Sequence, residues 1–327
     1  MSFAVGFDAR WIDQADYVLG ITRAIWEDRG VHSLHDYYGK DLIVRSPAGI
    51  VKGNDGIIAA TLATLAEFPD RELLGEDVIW QMTGEESFLS SHRLYCTATH
   101  SGAGVYGAPT GRRLAYRILA DCFCRADGVH DEWLVRDQGA IVAQMGQQVP
   151  DWTRALIARE GGPERCASPF RPDIDRAGPY TGRGNDNEWG QRLERILTEA
   201  MAGDFSVFER DYDRAARSCY PGHVTARGPR AAADFWLSLR SALPSARFEV
   251  HHRIGRADAR MPPRAAIRWS LDGIHDGYGR FGPPTGARIH IMGITHAEFT
   301  PHDLKLEWTL IDDTAIWKQI LLATGDL

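Results

Sequence analysis

The chain has 327 residues, 44% of them hydrophobic, 25% charged and 10% aromatic, with 37 lysines and arginines against 44 aspartates and glutamates and a net charge of −7. That balance excludes a disordered or collagen-like chain, and without a positive field nucleic acid is not expected as a partner. The first ten residues lack a basic start followed by an apolar run, and no stretch approaches the ~18 apolar residues of a membrane span. A cytoplasmic protein with no membrane partner is expected. Its five cysteines form no Cys-x-x-Cys pair, which points to reduced thiols and no metal.

In chain order, residues 21–38 place apolar side chains such as Ile21 and Ile25 at helical spacing. Residues 54–68 form a second helix, opened by Asn54 as a capping side chain and closed before Pro69. Only strand-like runs follow, over residues 77–82, 88–100, 113–125 and 129–145. Residues 147–190 contain Gly161-Gly162-Pro163 and Ser168-Pro169, which break regular structure, and read as a linker with a short helix near Trp152. Residues 191–212 are again helical through Leu193, Ile196 and Leu197. Another helix follows over 229–243 with Pro229 in its first turn, and strand-like runs come next.

The second half copies the first. The segment from His100-Ser101-Gly102 to Gly107-Ala108-Pro109-Thr110-Gly111-Arg112 returns from His275-Asp276-Gly277 to Gly282-Pro283-Pro284-Thr285-Gly286-Ala287, an offset of 175 (275 less 100). The same offset carries Glu132-Trp133 onto Glu307-Trp308, Asp137 onto Asp312, Gly53 onto Gly228 and Tyr37 onto Tyr212. Such a repeat makes two tandem domains, at residues 1–146 and 191–327. Helices followed by a meander of strands predict α+β units, each a curved antiparallel sheet wrapped around its N-terminal helices. The Gly-x-Pro-Thr-Gly segments read as hairpin turns.

Alternate residues of a strand share a face. Ala265, Ile267, Trp269, Leu271, Gly273 and His275 form an inward, mostly apolar row, matched by Ser90, His92, Leu94, Cys96, Ala98 and His100. On the last long strand Glu132 lies on one face with Leu134 and Arg136, and Glu307 with Thr309 and Ile311. Trp133 and Trp308 take the opposite face as packing residues. One imidazole and one carboxylate per unit on an otherwise apolar face describe a small-molecule pocket. The same residues also suit plain architecture, the histidines as hydrogen-bonded core groups and the glutamates as buried partners of Arg113 or Arg288.

Three segments together resemble the SnoaL-like polyketide cyclases of the nuclear-transport-factor-two-like superfamily: Phe68-Pro69-Asp70, Thr99-His100-x-Gly102 with Gly107-x-Pro109-Thr110-Gly111-Arg112, and residues 128–137 closing with Gln144-Met145-Gly146. The resemblance covers nearly all of the first unit. It is weaker in the second, where Leu243-Pro244-Ser245 replaces Phe-Pro-Asp and the terminal Gln-x-Gly is missing. It implies two cone-shaped α+β barrels packed as a pseudo-dimer, which exists as a monomer or as a homodimer of that unit. It also implies aldol ring closure by a pocket aspartate, without metal or organic cofactor. Aligned on Asp137 and Gln144, that aspartate falls at Leu134 and Thr309, neither of which titrates. Family pocket histidines align with Asp121 and His296, and with Glu132 and Glu307. A relocated acid/base pair is then Asp121 beside Glu132 in one cone and His296 beside Glu307 in the other, with His100 and His275 completing the candidates. The expected activity is cofactor-independent acid/base chemistry on a small, largely apolar or polyketide-like carbonyl compound by aldol closure, isomerisation or lyase/hydratase steps. A non-catalytic binding or assembly module is the alternative.

Overall fold

Asp13 starts the first helix of the computed structural model, which describes residues 4–327. Its carboxylate accepts from the Asp16 amide at 2.8 Å, and α1 (Gln14–Thr22) follows. The helical stretch foreseen over residues 21–38 is broken into a wide turn at Arg23–Glu27, a tight one at Val31–Ser33 and α2 (Leu34–Tyr37). β1 (Tyr38–Ser46) and β2 (Gly49–Lys52) then form a hairpin that the sequence reading passed over. After it come α3 (Asn54–Glu67), β3 (Glu72–Gly84), β4 (Ser87–Thr99), β5 (Arg113–Arg125), β6 (Gly128–Arg136) and α4 (Gln138–Gln144).

Asn54 does not cap α3. Its side-chain amide donates to the Tyr38 carbonyl at 3.1 Å, and Gly53, with φ of 79°, holds the cap position. The strand expected to run to residue 145 stops at Arg136, because the Asp137 carboxylate accepts from the Ala140 amide at 3.1 Å and starts α4.

The strand order of this unit is β2-β1-β6-β5-β4-β3. β1 runs parallel to β6, so the sheet is mixed rather than antiparallel. The early hairpin gives β6 a partner for backbone groups that an edge would leave open.

Next along the chain is α5 (Val149–Arg159), followed by α6 (Glu188–Met201), α7 (Ser206–Asp211), β7 (Tyr212–Tyr220), β8 (Val224–Arg227), α8 (Gly228–Ala242), β9 (Arg247–Arg256), β10 (Arg264–Ile274), β11 (Arg288–Phe299), β12 (Leu304–Leu310) and α9 (Asp313–Thr324). The order β8-β7-β12-β11-β10-β9 repeats the first sheet strand for strand. The repeat is not free of gaps. Val129 faces Tyr38 and Leu304 faces Tyr212, so the counterpart of Tyr212 is Tyr38, not Tyr37. The first hairpin closes at Ser46 and Gly49, the second at Tyr220 and Val224, and that one longer turn restores the offset.

The chain divides into two compact units, residues 1–147 with 170–182 and residues 148–169 with 183–327. The expected linker is therefore folded onto both. In the second unit Arg154 bonds Asp326 at 2.8 Å and Lys318 pairs with Glu160. In the first, residues 170–182 lie on the outer side of the sheet. There the Tyr180 ring sits 5.2 Å from Phe123, and its amide donates to Asp131 at 3.1 Å. A Cβ on Gly178 would lie 1.9 Å from the Asp131 carboxylate, so only glycine allows this approach. Buried Arg45 ties the strap down through Asp131 and Asp175, its guanidinium 4.6 Å over the Trp133 ring.

Arg45→Met takes the guanidinium counter-charge away from the buried Asp131 carboxylate, and is expected to cost about 3–5 kcal/mol in urea unfolding. Limited proteolysis should then cut first within residues 170–182.

Candidate functional site

Cross-strand register decides which side chains meet. In the first sheet Trp80, Ser90, Cys122, Glu132 and Val44 stand in one row, with Val78, His92, Ala120 and Leu134 in the next. Val78, Trp80, Ala120 and Cys122 pack with Tyr17, Val18 and Ile21 of α1, so both rows face the helices. In the second sheet the matching rows are Ala265, Ala297, Glu307 and Ser218, then Ile267, Thr295 and Thr309.

The expected acid/base pairs do not form. Asp121 stands opposite Ser91 and Trp133, and His296 opposite Ala266 and Trp308, which puts both on the outer face. The β5 partner of Glu132 is Cys122, the residue after Asp121, and a shift of one residue reverses the face. Asp121 and His296 are buried, but the sheet separates them from the glutamates.

His100 and His275 close the far ends of β4 and β10. Each Nδ1 lies 3.0 Å from a threonine hydroxyl, Thr110 or Thr285, and Nε2 of His100 is 3.3 Å from Glu67. The His100 carbonyl accepts from the amides of Thr110 and Gly111, and the His275 carbonyl from Thr285 and Gly286. These histidines clamp the β4–β5 and β10–β11 connections, which are long excursions rather than tight hairpin turns. Gly111 and Gly286 take the positive φ the path requires, 68° and 72°.

The glutamates share a position and differ in surroundings. Neither pairs with an arginine in the way considered from sequence; Arg288 bonds Asp272 at 2.7 Å. Glu307 is 0% exposed and accepts from four donors: Tyr212 at 3.0 Å, Tyr220 at 2.7 Å, Trp236 at 3.1 Å and Thr309 at 2.7 Å. Thr309 in turn meets Thr295 at 3.0 Å, which accepts from Trp269 at 3.0 Å. Burial raises the Glu307 carboxyl, and the four hydrogen bonds oppose that.

Glu132 is 7% exposed and has the Tyr38 side chain as its hydrogen-bond partner. Burial pushes its carboxyl up to about 7, against the lowering effects of Tyr38 and Arg136. Val44 and Leu134 beside it are partly exposed, whereas their counterparts Ser218 and Thr309 are buried. Two further buried polar atoms on this face, Ser90 Oγ and His92 Nδ1, have no hydrogen-bond partner. Desolvation lowers His92 to about 4, so its imidazole is neutral. Among the described residues no three His, Cys, Asp or Glu side chains gather as metal ligands, and no helix is long and apolar enough to cross a membrane.

Residues 191–320 match the sequence model of the SnoaL-like polyketide cyclases. The match lies within the second unit. Among solved structures, IdmH from Streptomyces antibioticus is 22% identical, its chain covered over 97% by 40% of this one, with a TM-score of 0.36. A SnoaL-like polyketide cyclase from Agrobacterium tumefaciens is 19% identical, 98% covered by 41% of this chain, with a TM-score of 0.33. No curated protein matches the chain in sequence.

The family match falls on the unit whose motifs looked less complete. One reason is visible. Gln319, at the offset from Gln144, exchanges bonds of 2.8 and 2.9 Å with the His290 backbone, as Gln144 does with Ala115 at 2.9 and 2.8 Å. A glutamine stands at this position in both units, and Leu321 takes the place of Gly146 in the second. Sequence reasoning missed Tyr38, Tyr212 and Tyr220 as carboxylate partners because the β1 and β7 hairpins were not foreseen, and missed Trp236 because helical spacing along α8 does not show what that helix packs against. It placed Ser90 and His92 on the correct face without weighing them.

A carboxyl raised in the folded state holds its proton more tightly there, so it favours folding below the unfolded value near 4.5 and loses that contribution as pH rises through about 7. Urea unfolding of Glu132→Gln should lack a decline on the order of 3 kcal/mol that the unsubstituted protein shows across this window.

Proposed function

We propose that the first unit is a cofactor-independent acid/base catalyst of SnoaL-like cyclase type, acting on a small, largely apolar carbonyl compound with Glu132 as the proton-transferring group. The observation that carries this reading is the contrast between equivalent carboxyls. Glu307 is enclosed by donors, while Glu132 retains one partner beside partly exposed apolar side chains. A carboxyl raised toward neutrality can both take and return a proton.

In this scheme the ionised Glu132 removes a proton from carbon next to a carbonyl, and the electron pair moves into the new carbon–carbon double bond as the oxygen becomes an enolate. Ser90 and neutral His92 lie on the same face with donor capacity unused in the folded chain, and supply hydrogen bonds to that oxygen. For ring closure the enolate carbon attacks a second carbonyl of the same molecule, whose oxygen takes the proton back from Glu132. The atoms balance without an oxidant. Tyr38 positions Glu132, and the second unit has a structural role.

A non-catalytic binding module is the second reading, favoured by the apolar Leu134 and the enclosed Thr309 where the family aspartate aligns. The two separate by α-proton exchange of 2-tetralone in deuterated water, followed by NMR. Catalysis predicts that Glu132→Gln lowers the protein-dependent rate by about 10²–10⁴-fold, that Glu307→Gln leaves most of it, and that the rate rises with pH through about 7. Binding of 2-tetralone without exchange favours the module.

A further inference from the structure

The two units act as internal controls for one another, and they differ most at one end of the inner face. In the second unit that end is closed by Ala246, Leu271, Ile291 and Ile311, all in the apolar core. The counterparts at the same offset in the first unit are Arg71, Cys96, Tyr116 and Arg136. Leu73, Cys96 and Tyr116 stand in one row, and Arg136 opposite Ile118 in the neighbouring one, so this polar group faces inward. The fold does not require polarity here, since its own second copy does without it.

Arg71 is 3% exposed, and its Nε and Nη1 are buried with no hydrogen-bond partner. The Tyr116 hydroxyl is the side-chain group it approaches, and Arg136 adds a second positive charge that acts on Cys96 and Tyr116. No aspartate or glutamate pairs with Arg71 among the described residues. A guanidinium held out of water without a counter-charge is strongly unfavourable, and it persists where a ligand supplies the opposite charge. The planar guanidinium fork matches a carboxylate.

We propose that Arg71 binds the carboxylate of a ligand at the end of the inner face remote from Glu132, so that the apolar carbonyl compound the first unit takes carries an acid group as well. This rests on the first unit being the ligand-binding one, but not on proton transfer by Glu132.

Calorimetric titration of the full chain with 2-naphthoate and with its neutral isostere 2-naphthamide tests it. The unsubstituted protein should prefer the carboxylate by about tenfold or more, as expected for hydrogen bonds to a charged group. Arg71→Met should abolish the preference, and Arg71→Lys should keep part of it. Arg71→Met removes an unpaired buried charge, so its melting temperature should not fall; should it fail to fold, Arg71→Gln replaces it. Equal affinities in the unsubstituted protein, no binding of either probe, or a preference that survives loss of the arginine overturns the assignment. Glu132→Gln should leave the preference intact. Loss of exchange chemistry with the preference retained, or the reverse, tells the two readings apart.

Discussion

A carboxyl group taken out of water against an apolar sheet must be met by donors or give up its charge. Both units place a glutamate at the same point of the inner face, and that placement governs what each can do. Around Glu307 the chain supplies two tyrosines, a tryptophan and a threonine, and the threonine is held by a further threonine and tryptophan. The result is a closed polar network inside an aromatic core. Around Glu132 the same fold supplies Tyr38, and the counterparts of Trp236, Thr295 and Thr309 are Thr61, Ala120 and Leu134. One glutamate is a strut. The other keeps an unusual proton affinity at a place where partly exposed apolar side chains adjoin it.

Duplication sorts the residues by purpose without appeal to other sequences. The glutamate apart, features present in both copies have architectural explanations: Asp137 and Asp312 cap helices, His100 and His275 clamp connections, and Gln144 and Gln319 tie a terminal helix to a strand. Features of one copy call for another account. Ser90, His92, Arg71 and Arg136 belong to the first unit alone, and the second has Ala265, Ile267, Ala246 and Ile311 in their places. Buried polar atoms without partners occur on the inner face of the first unit, at Ser90, His92 and Arg71, which is the pattern of a face adapted to something other than itself.

Much of the fold was legible in the sequence. Strand periodicity gave β4, β5 and β10 nearly to the residue, and the inward row on β10 is the row that joins the core. The β1 and β7 hairpins escaped notice because Tyr38–Ser46 and Tyr212–Tyr220 have no clean alternation, with Lys40, Asp41, Arg45, Asp213 and Arg214 interrupting it. The antiparallel expectation failed with them, since the parallel pairing of β1 to β6 is a contact between segments distant in sequence. For the site, both glutamates and both histidines were correctly placed inside. The pairing of Asp121 with Glu132 and of His296 with Glu307 was not, because parity within a strand says nothing about register between strands.

The amino-acid sequence by itself determined the duplication, the α+β class and the alternation within each long strand, because these depend on local periodicity and on repetition along the chain. The tertiary structure alone decided which groups surround each carboxyl and which arginine is left without a counter-charge. Desolvation and hydrogen bonding are properties of neighbours brought together across strands, and no spacing along one strand encodes them.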